Sequence, residues 1–235
     1  MMKILITGAN RGLGLSLTKI GLDHGHTIFA GSRNIDEQAT AQLRELQKMY
    51  SEKLHIVQLD VTNEESVKQA VEEVASLTDS LDGLINNAAI LNEREKTIED
   101  LDIEACMLAF DINTLGPVRV VKHFLSLLKK GKDQSLINIS SEAGSLTNAY
   151  SGDYPYGMSK VALNMLTEKL RVTLKDDGIQ VLSIHPGWMR TDMGGENAAL
   201  NPIESAEGIF KIIHRKKTIE SRYAFVDHVG RPMDI

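Results

Sequence analysis

Lys3-Ile4-Leu5-Ile6-Thr7-Gly8-Ala9-Asn10-Arg11-Gly12-Leu13-Gly14 runs from an apolar tetrad through three glycines into an amphipathic stretch. It reads as strand, glycine turn, helix. A β-carbon in such a turn would obstruct the bend. It would also hold a pyrophosphate away from the exposed amides of the helix N-terminus, where the positive end of the helix dipole lies. The residues expected to receive that phosphate are Gly8, Asn10, Arg11, Gly12, Leu13 and Gly14.

The same unit recurs along the chain. Strand-like runs at Lys3–Thr7, His26–Gly31, Leu54–Asp60, Leu81–Asn86, Ser135–Ser140, Ile179–His185 and Arg222–Val226 alternate with helical ones. The helical runs are Leu13–Asp23, Asp36–Met49, Glu64–Leu77, Ile103–Lys130 with a break near Gly116-Pro117, Tyr156–Lys175 and Glu204–Ile213. Seven strands separated by helices predict an α/β fold: a doubly wound, seven-stranded parallel sheet with helices on both faces. At 235 residues the chain suits one such domain, with a short loop near 188–204.

Composition removes several classes. With 26 basic against 32 acidic residues and a net charge of -6, the chain has no cationic run long enough to track a phosphate backbone, so nucleic acid is not expected as a partner. Lys129-Lys130-Gly131-Lys132 reads as a helix end meeting its dipole. No apolar run approaches the roughly 20 residues that span a bilayer, and no membrane association is expected. The single cysteine, Cys106, cannot form an intramolecular disulfide, which predicts a cytoplasmic protein and a small apolar role for that side chain. The seven histidines are scattered in sequence, so no metal site is expected.

Tyr156-Gly157-Met158-Ser159-Lys160 can set a phenol and an ammonium one helical turn apart on one face. With the glycine turn, Asp60-Val61, Asn86-Asn87-Ala88-Ala89, Asn113 within Asn-Thr-Leu-Gly, Ser140-Ser141, and Pro186-Gly187 followed by Thr191, the chain resembles the short-chain dehydrogenase/reductase family. The resemblance runs through nearly the whole length and implies a single NAD(P)-binding Rossmann domain. Around His185–Gly195 it is most similar to the carbonyl-reductase branch that contains the sniffer and C-factor-like proteins.

The resemblance implies site residues. Asp60 and Val61 would contact the adenine, Asn87 and Ala88 would lie along the adenosine ribose, and Pro186, Gly187, Met189 and Thr191 would hold the nicotinamide half. Ala89 departs from the family, which has glycine there, and its methyl narrows the space. The second strand ends in Gly31-Ser32-Arg33, without the carboxylate that would accept a ribose 2′-hydroxyl. Ser32 and Arg33 therefore favour NADP over NAD. Arg11 points the same way, because a cation beside a helix N-terminus is disfavoured unless an anion lies nearby.

Hydride delivery to a carbonyl leaves negative charge on oxygen, so a proton donor is needed. Tyr156 is the candidate acid; a free tyrosine titrates near about pH 10, and an adjacent ammonium would lower that. Lys160 supplies the ammonium, and by family resemblance also bonds the nicotinamide ribose, so Tyr156 and Lys160 count among the cofactor contacts too. Ser141 is expected to orient the carbonyl. Its neighbour Ser140 is the rival, and alternation along a strand allows only one of them to face the site. Asn113 matches the family residue that holds a water linking the lysine to solvent, a role compatible with a helix kink. Tyr150 and Tyr154 are competing phenols without a lysine one turn on. Trp188 is either a wall of the pocket or a packed core residue.

The sequence thus predicts an NADP(H)-dependent oxidoreductase that reduces an aldehyde or ketone to an alcohol, or the reverse, with a small-molecule carbonyl or alcohol as substrate. The alternative is an NADPH-binding regulatory or signalling protein of the C-factor-like group with little turnover. The helix Val161–Lys175 is apolar over more than half its circumference, which predicts a homodimer or homotetramer.

Overall fold

The computed structural model of the chain describes residues 1–235. Strands β1 (Lys3–Thr7), β2 (Thr27–Ser32), β3 (Leu54–Gln58), β4 (Gly83–Asn86), β5 (Ser135–Ile139), β6 (Gln180–His185) and β7 (Phe225–Asp227) form one sheet. Its order is β3-β2-β1-β4-β5-β6-β7, and every neighbouring pair is parallel. The crossovers carry helices α1 (Gly12–Asp23), α2 (Ala41–Met49), α3 (Glu64–Leu77), α4 (Ile103–Phe110), α5 (Gly116–Leu128), α6 (Tyr154–Thr173) and α7 (Pro202–Ile213). The strand order reverses between β1 and β4, which opens a crevice at the carboxyl ends of those strands.

Side-chain alternation divides the core into two layers. Ile4, Ile6, Ile28 and Ala30 pack on one face with Leu17 and Ile20 of α1 and Ile209 and Phe210 of α7. Leu5, Phe29 and Val57 pack on the other with Val67 and Val74 of α3 and Val120 and Phe124 of α5. Both faces being covered, the strands read as continuous apolar runs instead of alternating ones. No helix is long and apolar enough to cross a membrane.

The structure corrects three boundaries. Asp36–Thr40 is a turn before α2 and not its first turn: the Asp36 carboxylate accepts the Ala39 amide at 2.7 Å and the Thr40 hydroxyl donates to the Asp36 carbonyl at 2.7 Å. Such local side-chain bonds compete with the helical ladder. The break in the long helix is a π turn at Asp111–Leu115, ahead of Gly116-Pro117, because proline at the first turn of α5 needs no amide partner. α6 starts at Tyr154, with Pro155 in its first turn, so these residues belong to the helix and not to the preceding loop.

Candidate active site

The glycine turn is held shut from both sides. Gly8 has φ +63°, and a β-carbon there would lie 2.9 Å from Ala88 Cα; one on Gly14 would lie 2.1 Å from the Gly8 carbonyl oxygen. The Thr7 hydroxyl accepts the amides of Asn87 and Ala88, both at 3.0 Å. Asn87 returns its side-chain amide to the carbonyls of Thr7 at 2.9 Å and Gly8 at 3.0 Å. Both Asn87 amide hydrogens are thereby spent, and its role is to staple the turn. The sequence reading missed this use of Thr7, which a hydroxyl at the buried end of the strand signals.

Arg11 caps α1 without a side-chain hydrogen bond, and the first turn of α1 holds no acidic residue. The leading amides beside Gly12, Leu13 and Gly14 are thus left to an anion, which fits the phosphates of a dinucleotide. Asn10 ties the turn to the segment after β2 by donating to the Ala39 carbonyl at 3.1 Å. At the end of β2 the buried Ser32 hydroxyl donates to the Asn34 carbonyl at 2.7 Å, while Arg33 is exposed and forms no hydrogen bond or ion pair. Arg11 differs from the expectation: its guanidinium pairs with Asp192 at 3.2 Å, so an anion already answers it.

Asp60 accepts the Thr62 amide at 2.9 Å and hydroxyl at 2.7 Å, which fixes the loop after β3. Val61 is buried, and its carbonyl accepts Arg119 at 3.1 Å. Ala88 and Ala89 are half-buried along the crevice. Beyond β6, Pro186 is buried and Gly187 has φ +85°. Met189 forms an isolated bridge with Leu200, and the Thr191 hydroxyl accepts the Gly194 amide at 3.1 Å. The Thr191 methyl would be 3.6 Å from a β-carbon on Gly12, so this loop end abuts the glycine turn.

Tyr156, Lys160 and Ser141 converge. Ser141 caps the short helical turn after β5, accepting the Ala143 amide at 3.2 Å, and lies beside the Tyr156 phenol, whereas Ser140 turns inward and donates to Asn164 at 2.7 Å. The Lys160 ammonium is buried, donates to the Ile139 carbonyl at 2.7 Å and lies 5.4 Å from the Tyr156 ring centre. Burial holds Lys160 down to about 7. Burial likewise pushes the Tyr156 phenol up, opposed by the neighbouring Ser141 hydroxyl. The expected lowering by the lysine is not seen here, because a buried ammonium 5.4 Å from the ring has itself lost most of its hold on the proton.

Asn113 lies buried in the π turn. Its side chain accepts the Ile90 amide at 2.9 Å and donates to the Ile90 carbonyl at 2.9 Å and the Ser159 hydroxyl at 3.0 Å. Both side-chain hydrogens are engaged within the protein.

Tyr150 stands apart: burial and a 2.9 Å bond to Asp153 push it up to about 12. Trp188 is 59 % exposed, which removes the core alternative; its indole donates to the Gly194 carbonyl at 2.8 Å. Arg94 was not anticipated. It donates to the Met193 carbonyl at 2.9 Å and lies 3.9 Å from Asp153, spanning the mouth beside Tyr156. Cys106 is half-buried on α4, and burial with nearby Glu93 and Asp102 pushes its thiol up, away from a reactive thiolate.

A sheet reversing at β1, a glycine turn beneath it and a Ser-Tyr-Lys cluster across the crevice define a nicotinamide-dependent oxidoreductase fold. Residues 2–201 match the short chain dehydrogenase family model, and the chain belongs to that family. The NADPH-bound carbonyl reductase from chicken fatty liver superposes with a TM-score of 0.91 at 31 % identity, over 100 % of this chain and 99 % of that one. The carbonyl reductase Sniffer of D. melanogaster does so with a TM-score of 0.91 at 33 % identity, over 100 % of both chains. C-signal of Myxococcus xanthus is 37 % identical over 137 residues, 58 % of this chain and 82 % of that protein. The chain is an oxidoreductase of this family, with the family's site for a nicotinamide cofactor.

Proposed function

We propose that the chain is an NADP(H)-dependent carbonyl reductase that interconverts an aldehyde or ketone with its alcohol. The observation that carries this reading is the buried Tyr156 phenol beside Ser141, with the buried Lys160 ammonium one helical turn on and 5.4 Å from the Tyr156 ring centre. The reduced nicotinamide supplies the hydride. Ser141 orients the carbonyl oxygen, and Tyr156 gives it the proton as charge develops there. Lys160, held to about 7 by burial, exchanges a proton near neutrality and so can restore the phenol. Asn113 clamps Ile90 to Ser159, and by the family's pattern it would anchor a water that passes protons to Lys160.

Gly8, Asn10, Gly12, Leu13 and Gly14 would hold the phosphates, Asp60 and Val61 the adenine, Ala88 the adenosine ribose, and Pro186, Gly187, Met189 and Thr191 the nicotinamide half. The exposed Arg33, free of any carboxylate, selects the 2′-phosphate of NADP. Carbonyl reductases among the structural neighbours, one with NADPH bound, support the same choice. Met158, Met165 and Val172 leave an apolar flank of α6 exposed, which supports a homodimer or homotetramer built on that helix. A cytoplasmic location fits the lone Cys106, for which no intramolecular disulfide is possible.

The likeness to C-signal supports a second reading, an NADPH-binding signalling protein. One experiment separates the two. Purified protein is mixed with NADPH or NADH and a panel of aldehydes, ketones and diketones, and the absorbance of the reduced nicotinamide is followed. Tyr156→Phe should keep NADPH binding and lose turnover by about 10²–10⁴-fold. Turnover retained in that variant eliminates Tyr156 as the acid. Tight NADPH binding without turnover on any carbonyl favours the signalling reading.

A further inference from the structure

Three of the histidines that are scattered in sequence meet at the far edge of the sheet. His24 is the C-cap of α1, His26 immediately precedes β2, and His214 is the C-cap of α7. One ring nitrogen from each lies within 4.8 Å of the others. His26 Nε2 and His214 Nε2 are 2.7 Å apart, and the Glu207 carboxylate is 3.5 Å from His24 Nε2. We propose that His24, His26, His214 and Glu207 bind one divalent late first-row cation, with zinc as the foremost candidate, at a site separate from the active site.

The donor set is right for that metal class. Three imidazoles and a carboxylate suit zinc, whose bonds of about 2.0–2.1 Å set tetrahedral ligand atoms roughly 3.3 Å apart. The 2.7 Å pair opens slightly to reach that spacing and His24, on the rim, swings inward. The backbone adds to the attraction. α1 and α7 pack together and both end at the cluster, so the negative ends of two helix dipoles converge where a cation would sit. Phe210, buried and stacked on His26 at 5.6 Å, walls the inner side. Glu207 and Asp82 face the cluster as anions, while Lys216 and the N-terminal amine oppose them.

The proton inventory can be written. His26 Nδ1 accepts the Met2 amide at 3.2 Å, so the His26 proton is on Nε2 and is donated to His214 Nε2. Ligation through Nε2 moves that proton to Nδ1, and the Met2 N–H turns away to water. No net proton is released by this pair. The Met2 amide becomes a local reporter of binding. The site is remote from the chemistry: β2 separates His26 from the Ser32-Arg33 end of the crevice by six residues, about 20 Å at roughly 3.3 Å each. Its expected effect is to clamp α1, β2 and α7 together.

The test uses full-length protein freed of any histidine tag and stripped with a chelator. Zinc is titrated in competition with a chromophoric chelator, and cobalt is titrated as a spectroscopic probe. The expected result is one equivalent bound, a visible band of four-coordinate cobalt, a shifted Met2 amide resonance and a higher Tm. His26→Gln/His214→Gln should lose more than about 100-fold in affinity, since losing even a group that only hydrogen-bonds a metal ligand costs about 10–100-fold. His55→Gln, stacked on Phe29 elsewhere, should bind as the parent does. If the double variant does not fold, His24→Gln and Glu207→Gln on the rim decide the matter, each expected to weaken binding. Absence of saturable binding overturns the proposal, as does affinity unchanged in the double variant or in both rim variants.

Discussion

Replacing Lys160 by methionine should abolish turnover and yet stabilise the cofactor-free protein at neutral pH. The ammonium is 2 % exposed and has one protein acceptor, the Ile139 carbonyl at 2.7 Å. Burial holds it down to about 7 from an ordinary 10.5. At about 1.4 kcal/mol per pH unit, that costs the folded state about 5 kcal/mol whenever the lysine is charged. Below pH 7 the folded and unfolded lysines both carry the proton, and the whole penalty is present. Between pH 7 and 10.5 the unfolded lysine keeps its proton while the folded one has lost it, so wild-type stability climbs with pH across that window. Methionine fills similar volume without the charge but leaves the Ile139 carbonyl unpaired, at about 1–3 kcal/mol. The net gain at pH 7 is about 2–4 kcal/mol, a rise in Tm of about 5–10 °C for a chain of this size. Thermal melts of wild type and Lys160→Met, without cofactor, at intervals from pH 7 to 9.5 measure the difference, in which other titrating groups cancel. The variant's advantage should shrink as pH rises and vanish near pH 9. A variant less stable at pH 7, or a gap that does not change with pH, refutes the reasoning.

Two further outcomes follow from the cofactor side. Arg33→Glu puts a carboxylate where the structure has an unpaired guanidinium, so kcat/KM with NADPH should fall by at least about tenfold while that with NADH holds or rises; an unchanged ratio in steady-state assays would clear Arg33 of any role. Asn87→Asp keeps the shape but turns a carboxylate oxygen toward the Thr7 and Gly8 carbonyls, so it should cost about 2–4 kcal/mol and weaken NADPH binding, read by thermal melts and by quenching of protein fluorescence. A Tm equal to wild type would show that Asn87 is not the staple.

The sheet was legible because its signals are local. Each buried strand is a continuous apolar run and each helix an amphipathic one, so the alternation could be read without knowing what packs on what. The Tyr156–Lys160 spacing was legible for the same reason, since one turn of helix fixes which residues share a face. What escaped was set by side chains acting over long sequence separation. Nothing near Asn87 announces that its amide serves carbonyls eighty residues earlier. Arg94 reaches Met193 across the mouth from ninety-nine residues away, and His24 and His26 meet His214 only because α1 and α7 pack on the same face.

Arg11 and Arg33 show how the same residue type at two expected anion sites comes to mean different things. Both are expected to meet a phosphate, Arg33 because no carboxylate ends β2 and Arg11 because a cation near a helix N-terminus needs an anion. The folded chain gives Arg11 that anion in Asp192, from the loop that follows Thr191, on two side chains that are 71 % and 79 % exposed. An ion pair so open to water is worth at most about 1 kcal/mol, so a bound phosphate can compete for Arg11 but is not required by it. Arg33 has no such partner, and no carboxylate follows Gly31 to repel a 2′-phosphate. On the proposed reading, selection between the two nicotinamide cofactors therefore rests on Arg33. Arg11 acts instead as a latch to the 192 loop: Arg11→Ala should loosen that loop and leave the NADPH to NADH ratio almost unmoved, in contrast to Arg33→Glu.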